Sequence, residues 1–470
     1  MGDSPTSNLQ SMGKVTAAAG FGNFVDFYEF FISASAAAIV WPTVFFGPLA
    51  KSAALATTLS IVTFGVGYIT RPLGAFVFGH FGDRSGRNKA LALSIFLAFA
   101  SVLGTGLLPS YASIGLAAVA LLFVFRLMLG MALGGEFGGA SVWVVEYAEA
   151  QGKAKRRGYY GALLGLMQSF GIGLGGLAFT LAEVYSGSAF LSIGWRIPYL
   201  AGAVIAIVGL IIRLRMFDSP LFQEILKSRQ IAKVPAGEAV RGKLGILMIA
   251  AMLMYFFQAA NGVFFGGPIA QVYILRLFGH LTNSFGTAST LFAPLTIAVA
   301  YFVGAAIGAV VGGPLSDRIG RKKAMVLPLA GTLIFLYPYY LLMGTANGLN
   351  ILLATNVIEF LVWLAVGITF VWFAEMFPTR LRYSGTGLTA EIGVLGSGIV
   401  TSIIVPPLIT GYTGISYLLY GGVIPGAIVS ALALAVLFAL PETKDRVLSK
   451  IGVPVSSPKM TEVSGEEPAN

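Results

Sequence analysis

Apolar residues run along this chain in twelve long blocks broken by short polar turns. The blocks cover residues 14–42, 56–80, 90–108, 113–140, 157–182, 197–215, 244–274, 290–315, 324–344, 348–374, 384–408 and 416–440. Each holds about 20 residues or more, the length a helix needs to cross the hydrocarbon core of a bilayer. A backbone in lipid must satisfy its own hydrogen bonds, so such runs predict helices. The pattern predicts an all-α integral membrane protein with twelve transmembrane helices. A longer polar segment after the sixth block splits the chain into an N-terminal segment (1–13), a six-helix half (14–215), a linker (216–243), a second six-helix half (244–440) and a polar tail (441–470). In the linker, Asp218-Ser219-Pro220 predicts a helix start with Asp218 or Ser219 as N-cap. Leu221, Phe222, Ile225 and Leu226 then give that short helix an apolar stripe suited to a membrane surface.

One turn recurs. Gly79-His-Phe-Gly-Asp83-Arg-Ser-Gly-Arg87-Asn-Lys-Ala90 returns 234 positions later as Gly313-Pro-Leu-Ser-Asp317-Arg-Ile-Gly-Arg321-Lys-Lys-Ala324, with seven of twelve positions identical. Two related halves in a membrane are the mark of many transporters. Asp83 and Asp317 are expected either to cap a facing helix or to pair with Arg87 and Arg321. The plainer reading of such a turn is a solvated, topology-setting charge cluster.

Composition sharpens this picture. Charged residues make up 11% of the chain, against about 25% in a soluble domain. There are 60 glycines, and Gly lets transmembrane helices approach closely. Gly304, Gly308 and Gly312, and Gly161 and Gly165, therefore read as packing faces. The basic residues gather on one side: Lys14, the two repeated turns, residues 153–157, the linker, Arg380, Arg382 and the tail. Lys51, Arg196 and Arg276 fall on the other. This bias predicts a multi-pass plasma-membrane protein with both termini cytoplasmic. It also accounts for the net charge of +10 through anionic lipid, so no nucleic-acid partner is expected. With no cysteine, there is no disulfide framework or thiolate metal site. No phosphate-binding loop, nucleophile elbow or metal-ligand spacing occurs, so no enzyme activity, metal or organic cofactor is expected. Residues 1–11 carry no basic stretch followed by an apolar core, and a cleaved signal peptide is not expected.

The two-half plan and the repeated turn resemble the major facilitator superfamily. Gly22-Asn-Phe-Val-Asp26-Phe-Tyr28-Glu29-Phe, Arg71-Pro-Leu-Gly-Ala, Arg126-x-x-x-Gly130-x-x-x-Gly134-Gly135-Glu136, Trp195-Arg-Ile-Pro and Glu375-x-Phe-Pro-Thr-Arg-x-Arg382-Tyr-Ser-Gly385 are similar to its metabolite:proton symporter branch. Pro441-Glu-Thr-Lys resembles the sugar porters instead. The resemblance implies the major facilitator fold, alternating access, and a cytoplasmic latch that holds the outward-open state. Asp83, Arg84, Arg87, Asp317, Arg318 and Arg321 would form that latch. It further implies that a first-span acid pairs with a fourth-span arginine in proton coupling.

Asp26, Glu29, Arg126, Glu136, Glu359 and Glu391 all fall inside predicted spans. Each costs about 2.5–3.5 kcal/mol near the bilayer centre, so they should face a cavity or one another. Asp26 and Glu29 share a helix face. Desolvation favours the neutral acid and a nearby Arg favours the ionised one, which makes a proton switch. Asp26 is expected to lead in carrying the proton, with Glu29 second and Arg126 gating. Glu136 is either a second proton site or a structural partner of Arg126. Glu391 departs from the family pattern, as a second titrating site or a solvated group. For solute, Gln258 and Asn261 in the seventh span, Glu359 and Trp363 in the tenth, Gln168 in the fifth and Tyr28 in the first are the candidates; interhelical hydrogen bonding is their alternative use. The expectation is a proton-coupled importer of a small organic acid or zwitterion, functional as a monomer, with protons as the coupling ion. A sugar symporter and a uniporter or exchanger of the same fold are the alternatives.

Overall fold

The computed structural model describes residues 10–227, 232–266, 295–345, 347–400 and 422–448, apart from the side chains of residues 54 and 262–266. The described residues are helical, with no strand. The spans are α1 (Met12–Ile39), α2 (Ala53–Ser85), α3 (Arg87–Leu107), α4 (Leu116–Ala150), α5 (Arg157–Ser186), α6 (Arg196–Leu214) and α7 (Gly242–Gly266). They continue with α8 (Leu295–Ile319), α9 (Arg321–Gly344), α10 (Gly348–Trp372), α11 (Arg382–Ile399) and α12 (Ile424–Leu437). Among the described residues nine of these are long and apolar enough to cross a membrane; α1 and α11 are not among the nine, and α12 is a shorter apolar helix. Both α1 and α11 carry buried charges, Asp26 and Glu29 in one and Arg382 and Glu391 in the other. The parts of the predicted spans at 267–274, 290–294, 401–408 and 416–421, with Arg276, lie outside the described residues.

Helices pack as α1 on α5, α2 on α4, α3 on α6 and α8 on α10. The first six spans meet the last six where α2 packs on α11 and α5 on α8. Glycine sets these distances. A Cβ on Gly304, Gly308 or Gly312 of α8 would strike the carbonyl oxygens of Asn356, Phe360 and Leu364 on α10. Both triplets step by four residues, so two helix ridges lie in register with backbones touching. Gly161 and Gly165 likewise seat α5 against Val371 and Ala309.

The repeated turns lie at one end of the bundle, and each reaches across the molecule. Asp83, at the end of α2, accepts hydrogen bonds from the N–H groups of Tyr383 (3.3 Å) and Ser384 (2.9 Å), so it caps α11. Asp317, at the end of α8, accepts from Gly158 and Tyr159 (both 2.8 Å) and caps α5. Capping and pairing occur together: Arg87 lies 3.0 Å from Asp83, and Arg321 lies 2.7 Å from Asp317. Behind each pair sits a buried glutamate between two arginines. Glu146 joins Arg87 (3.2 Å) and Arg382 (3.0 Å); Glu375 joins Arg321 (2.9 Å) and Arg157 (3.0 Å). Arg84 and Arg318 do not belong to this cluster. Both are exposed, and neither guanidinium forms an ion pair among the described residues.

Two acid–hydroxyl dipeptides complete the pattern. Asp218 caps α3 through Asn88 N–H (2.7 Å), while Ser219 bonds Glu146 and caps the short helix Pro220–Lys227. Glu442 accepts from the N–H groups of Arg321 and Lys322 (both 3.0 Å) at the start of α9, while Thr443 Oγ1 donates to Glu375 (2.6 Å). The short helix therefore departs from the membrane-surface expectation. Its Leu221 and Phe222 are buried, with the Arg87 guanidinium 4.2 Å from the Phe222 ring centre.

Two outcomes follow. Gly308→Val, which drives a branched side chain into α10, should destabilise the protein by about 1–3 kcal/mol, read as a lowered melting temperature in detergent. Glu442 is exposed; partial desolvation pushes its carboxyl up, but four backbone N–H donors prevail and hold it below the ordinary glutamate value of 4.5. A depressed carboxyl stabilises above that value and loses the effect as pH falls through its folded-state value. The melting-temperature advantage of the wild type over Glu442→Gln should be full at pH 6 and disappear as pH drops below 4.5.

Candidate functional site

A cavity of about 140 Å³ lies at the centre of the bundle, lined from α1, α2, α4, α5, α7, α8, α10 and α11. Its wall is mainly apolar and includes the aromatic rings of Phe27, Phe30, Phe31, Tyr68, Phe137, Tyr255, Tyr301 and Trp363. A few polar groups interrupt that wall: Asn23, Asp26, Arg71, Glu136, Gln168, Gln258 and Ser397. An apolar chamber with few convergent polar groups is the ordinary form of a small-molecule site.

The predicted coupling residues divide into two sets. Asp26 faces the cavity, is 1% exposed, and neither carboxylate oxygen has a hydrogen-bond partner. Arg126 does not reach it. Arg126 pairs with Glu29, whose carboxylate also accepts from Ser33 Oγ (2.6 Å); Ser33 in turn meets Tyr199 Oη at 2.8 Å. The Trp41 ring lies 5.4 Å from the same guanidinium. One turn of α1 therefore separates a free acid from a paired one. Glu136 is not a partner of Arg126 either. It bonds Arg213 (3.1 Å) and Ser94 (2.9 Å), tying α4 to α6 and α3 while still bordering the cavity. Glu391 is not solvated: it is fully buried and accepts from Arg71 Nε (2.6 Å) and Nη2 (3.3 Å).

The predicted solute residues divide similarly. Gln168, Gln258 and Trp363 line the cavity. Gln168 Oε1 and Gln258 Nε2 have no partner, and Gln258 Oε1 accepts from Thr369 (2.8 Å). Trp363 meets Tyr301 edge-on at 5.6 Å. Three candidates fall elsewhere. Tyr28 donates to the Pro198 carbonyl (2.9 Å) and its ring packs on Gly202, which holds α1 to α6. Asn261 bonds Ser430 (3.2 Å) and joins α7 to α12. Glu359 is buried beside Trp363 but does not border the cavity, and it forms no ion pair among the described residues. The polar lining residues that spacing does not single out are Asn23, Tyr68, Arg71, Tyr255, Tyr301 and Ser397. Arg71 carries a usable signal, because a lone arginine inside the block 56–80 is as costly as Asp26, Glu29 or Arg126 within theirs.

Known proteins share both sequence and shape with this chain. The family model described as "Sugar (and other) transporter" matches residues 15–236 and 329–453. The inner membrane metabolite transport protein YhjE of Escherichia coli K12 is 31% identical, over 84% of this chain and 88% of its own. The shikimate transporter of the same organism is 30% identical over 92% and 95%. Among solved structures, the major facilitator proton:xylose symporter XylE bound to 6-bromo-6-deoxy-D-glucose superposes with a TM-score of 0.74 at 18% identity, covering 93% of this chain and 98% of that one. The inward-open form of XylE from E. coli gives 0.60. The family model and these relatives place the chain in the sugar (and other) transporter family, as a multi-pass membrane transporter with the major facilitator fold and not an enzyme.

Proposed function

We propose that this transporter carries a small organic acid or zwitterion together with a proton, by alternating access of the central cavity. The observation that carries the reading is Asp26, a buried carboxyl on the cavity wall with no hydrogen-bond partner. A buried charge without a partner is expensive, whereas a carboxyl that takes up a proton is not. Protonation of Asp26 would thus accompany solute entry, with no other cofactor. The Glu29–Arg126 pair one turn away is a second acid whose charge depends on whether its arginine stays. Arg126 therefore gates Glu29 and not Asp26.

The cytoplasmic clusters act as the latch. Asp83 and Asp317 each hold a helix from the other set of six, so the cytoplasmic side is closed in this conformation. Both termini face the cytoplasm in this reading, the basic side faces anionic lipid, and one chain encloses a whole site. A sugar is the second reading, favoured by the amides of Gln168 and Gln258 beside Trp363 in the cavity. Amides suit hydroxyls, and an aromatic face suits a sugar ring.

Purified protein in liposomes with a trapped pH dye tests the reading. An inward gradient of the transported solute should acidify the lumen. Asp26→Asn should cut solute-driven proton entry by about 100-fold or more while solute still binds. Solute-driven acidification by Asp26→Asn at the wild-type rate would sink the assignment, and uptake without any pH change would leave a uniporter or exchanger. For the latch, the absence of native cysteine makes Ala259→Cys a clean reporter of cavity access. Asp317→Ala, losing a cap worth about 1 kcal/mol, should speed its labelling from the cytoplasmic side by about fivefold.

A further inference from the structure

Arg71 is the one cation bordering the cavity among the described residues. It sits on α2, and its guanidinium is held by Glu391 of α11, one of the helices that join the first six spans to the last six. The pair is asymmetric. Glu391 lies behind the wall, 0% exposed, while Arg71 forms part of the wall and is 6% exposed. Glu391 takes Nε and Nη2; Nη1 makes no hydrogen bond among the described residues. The Tyr68 ring lies 6.0 Å from the guanidinium carbon. Open donor positions of a planar, permanently charged group thus face the chamber, framed by an aromatic wall. The other cavity-facing charges, Asp26 and Glu136, are acids. Arg126 is committed to Glu29 and Arg213 to Glu136, so neither is available to an anion in the cavity.

We infer that Arg71 is the carboxylate-recognising residue of this transporter and that Glu391 is its internal stand-in, occupying the guanidinium while the cavity is empty and giving way to the carboxylate of the solute. The inference rests on the reading that this cavity takes the solute, and it selects organic acids over sugars. It also assigns Glu391 a task. Arginine–carboxylate pairing in a dry chamber is strong, and a transport site must release its cargo as well as hold it. A competing carboxylate on the same guanidinium weakens solute binding and returns to expel it. Because the pair joins α2 to α11, exchanging Glu391 for solute also removes a tie between the two sets of helices.

The test is ligand binding to the purified full-length protein, followed by thermal shift and tryptophan fluorescence. Benzoate, shikimate and succinate serve as probes, each beside its neutral methyl ester. At least one acid should bind while its ester does not. Glu391→Gln frees Arg71 from a charged competitor and should tighten acid binding by about tenfold, yet slow uptake of the same acid into liposomes. Arg71→Gln should weaken acid binding by about 100-fold. Since that variant strands Glu391, the double variant Arg71→Gln/Glu391→Gln removes both charges and should fold while still failing to bind the acid. A mere strut between helices predicts the opposite for Glu391→Gln, with weaker binding in both single variants. Unchanged or weaker binding by Glu391→Gln, equal binding of acid and ester, or no acid bound by either wild type or Glu391→Gln overturns the inference. Binding is read without a proton gradient, so failure of proton coupling alone would appear only in the pH-dye assay and would leave this result standing.

Discussion

A charge inside a bilayer must find a partner, and this constraint organises the whole molecule. Arg71, Arg87, Arg126, Arg157, Arg213, Arg321 and Arg382 are all buried, and each forms an ion pair. Apart from the pairs within the repeated turns, these bonds join different helices or, at Glu375, a helix to the turn after α10, so the charges serve as the polar joints of an otherwise apolar bundle. Glycine ridges such as Gly304–Gly308–Gly312 supply the rest, by letting backbones touch where no side chain directs the contact. Against that background Asp26 and Glu359 stand apart, as the buried acids with no ion pair among the described residues. Only Asp26 opens onto the cavity.

Much of the architecture could be read from the chain because lipid punishes error. Apolar blocks of bilayer length and a duplicated turn leave few alternatives. The two sides of the repeated turn also followed from chemistry, since an aspartate at a helix end both caps and pairs. What the sequence did not show was which partner each charge would choose. Asp26 and Glu29 are three residues apart and equally plausible for Arg126, but one helical turn changes which neighbouring helix a side chain meets. Glu136 looked like a neighbour of Arg126 because both lie on α4; ten residues, almost three turns, separate them. Tyr28 and Asn261 satisfy the polar-in-a-span rule by joining helices, a use that spacing alone does not separate from binding solute. Arg71 enters the sequence reading only within the Arg71-Pro-Leu-Gly-Ala motif, as part of a resemblance and not as a charge inside a span.

The crossed caps have a mechanical corollary. Asp83 belongs to one set of six helices and completes a helix of the other, and Asp317 does the same in reverse. The two restraints act side by side across the same seam. Parting the seam at one end loads the other, and neither helix terminus gains a substitute donor or acceptor until water enters both. If these caps form the proposed latch, it would have two positions with little between them, in the manner of a double-bolted door rather than a hinge that can rest ajar.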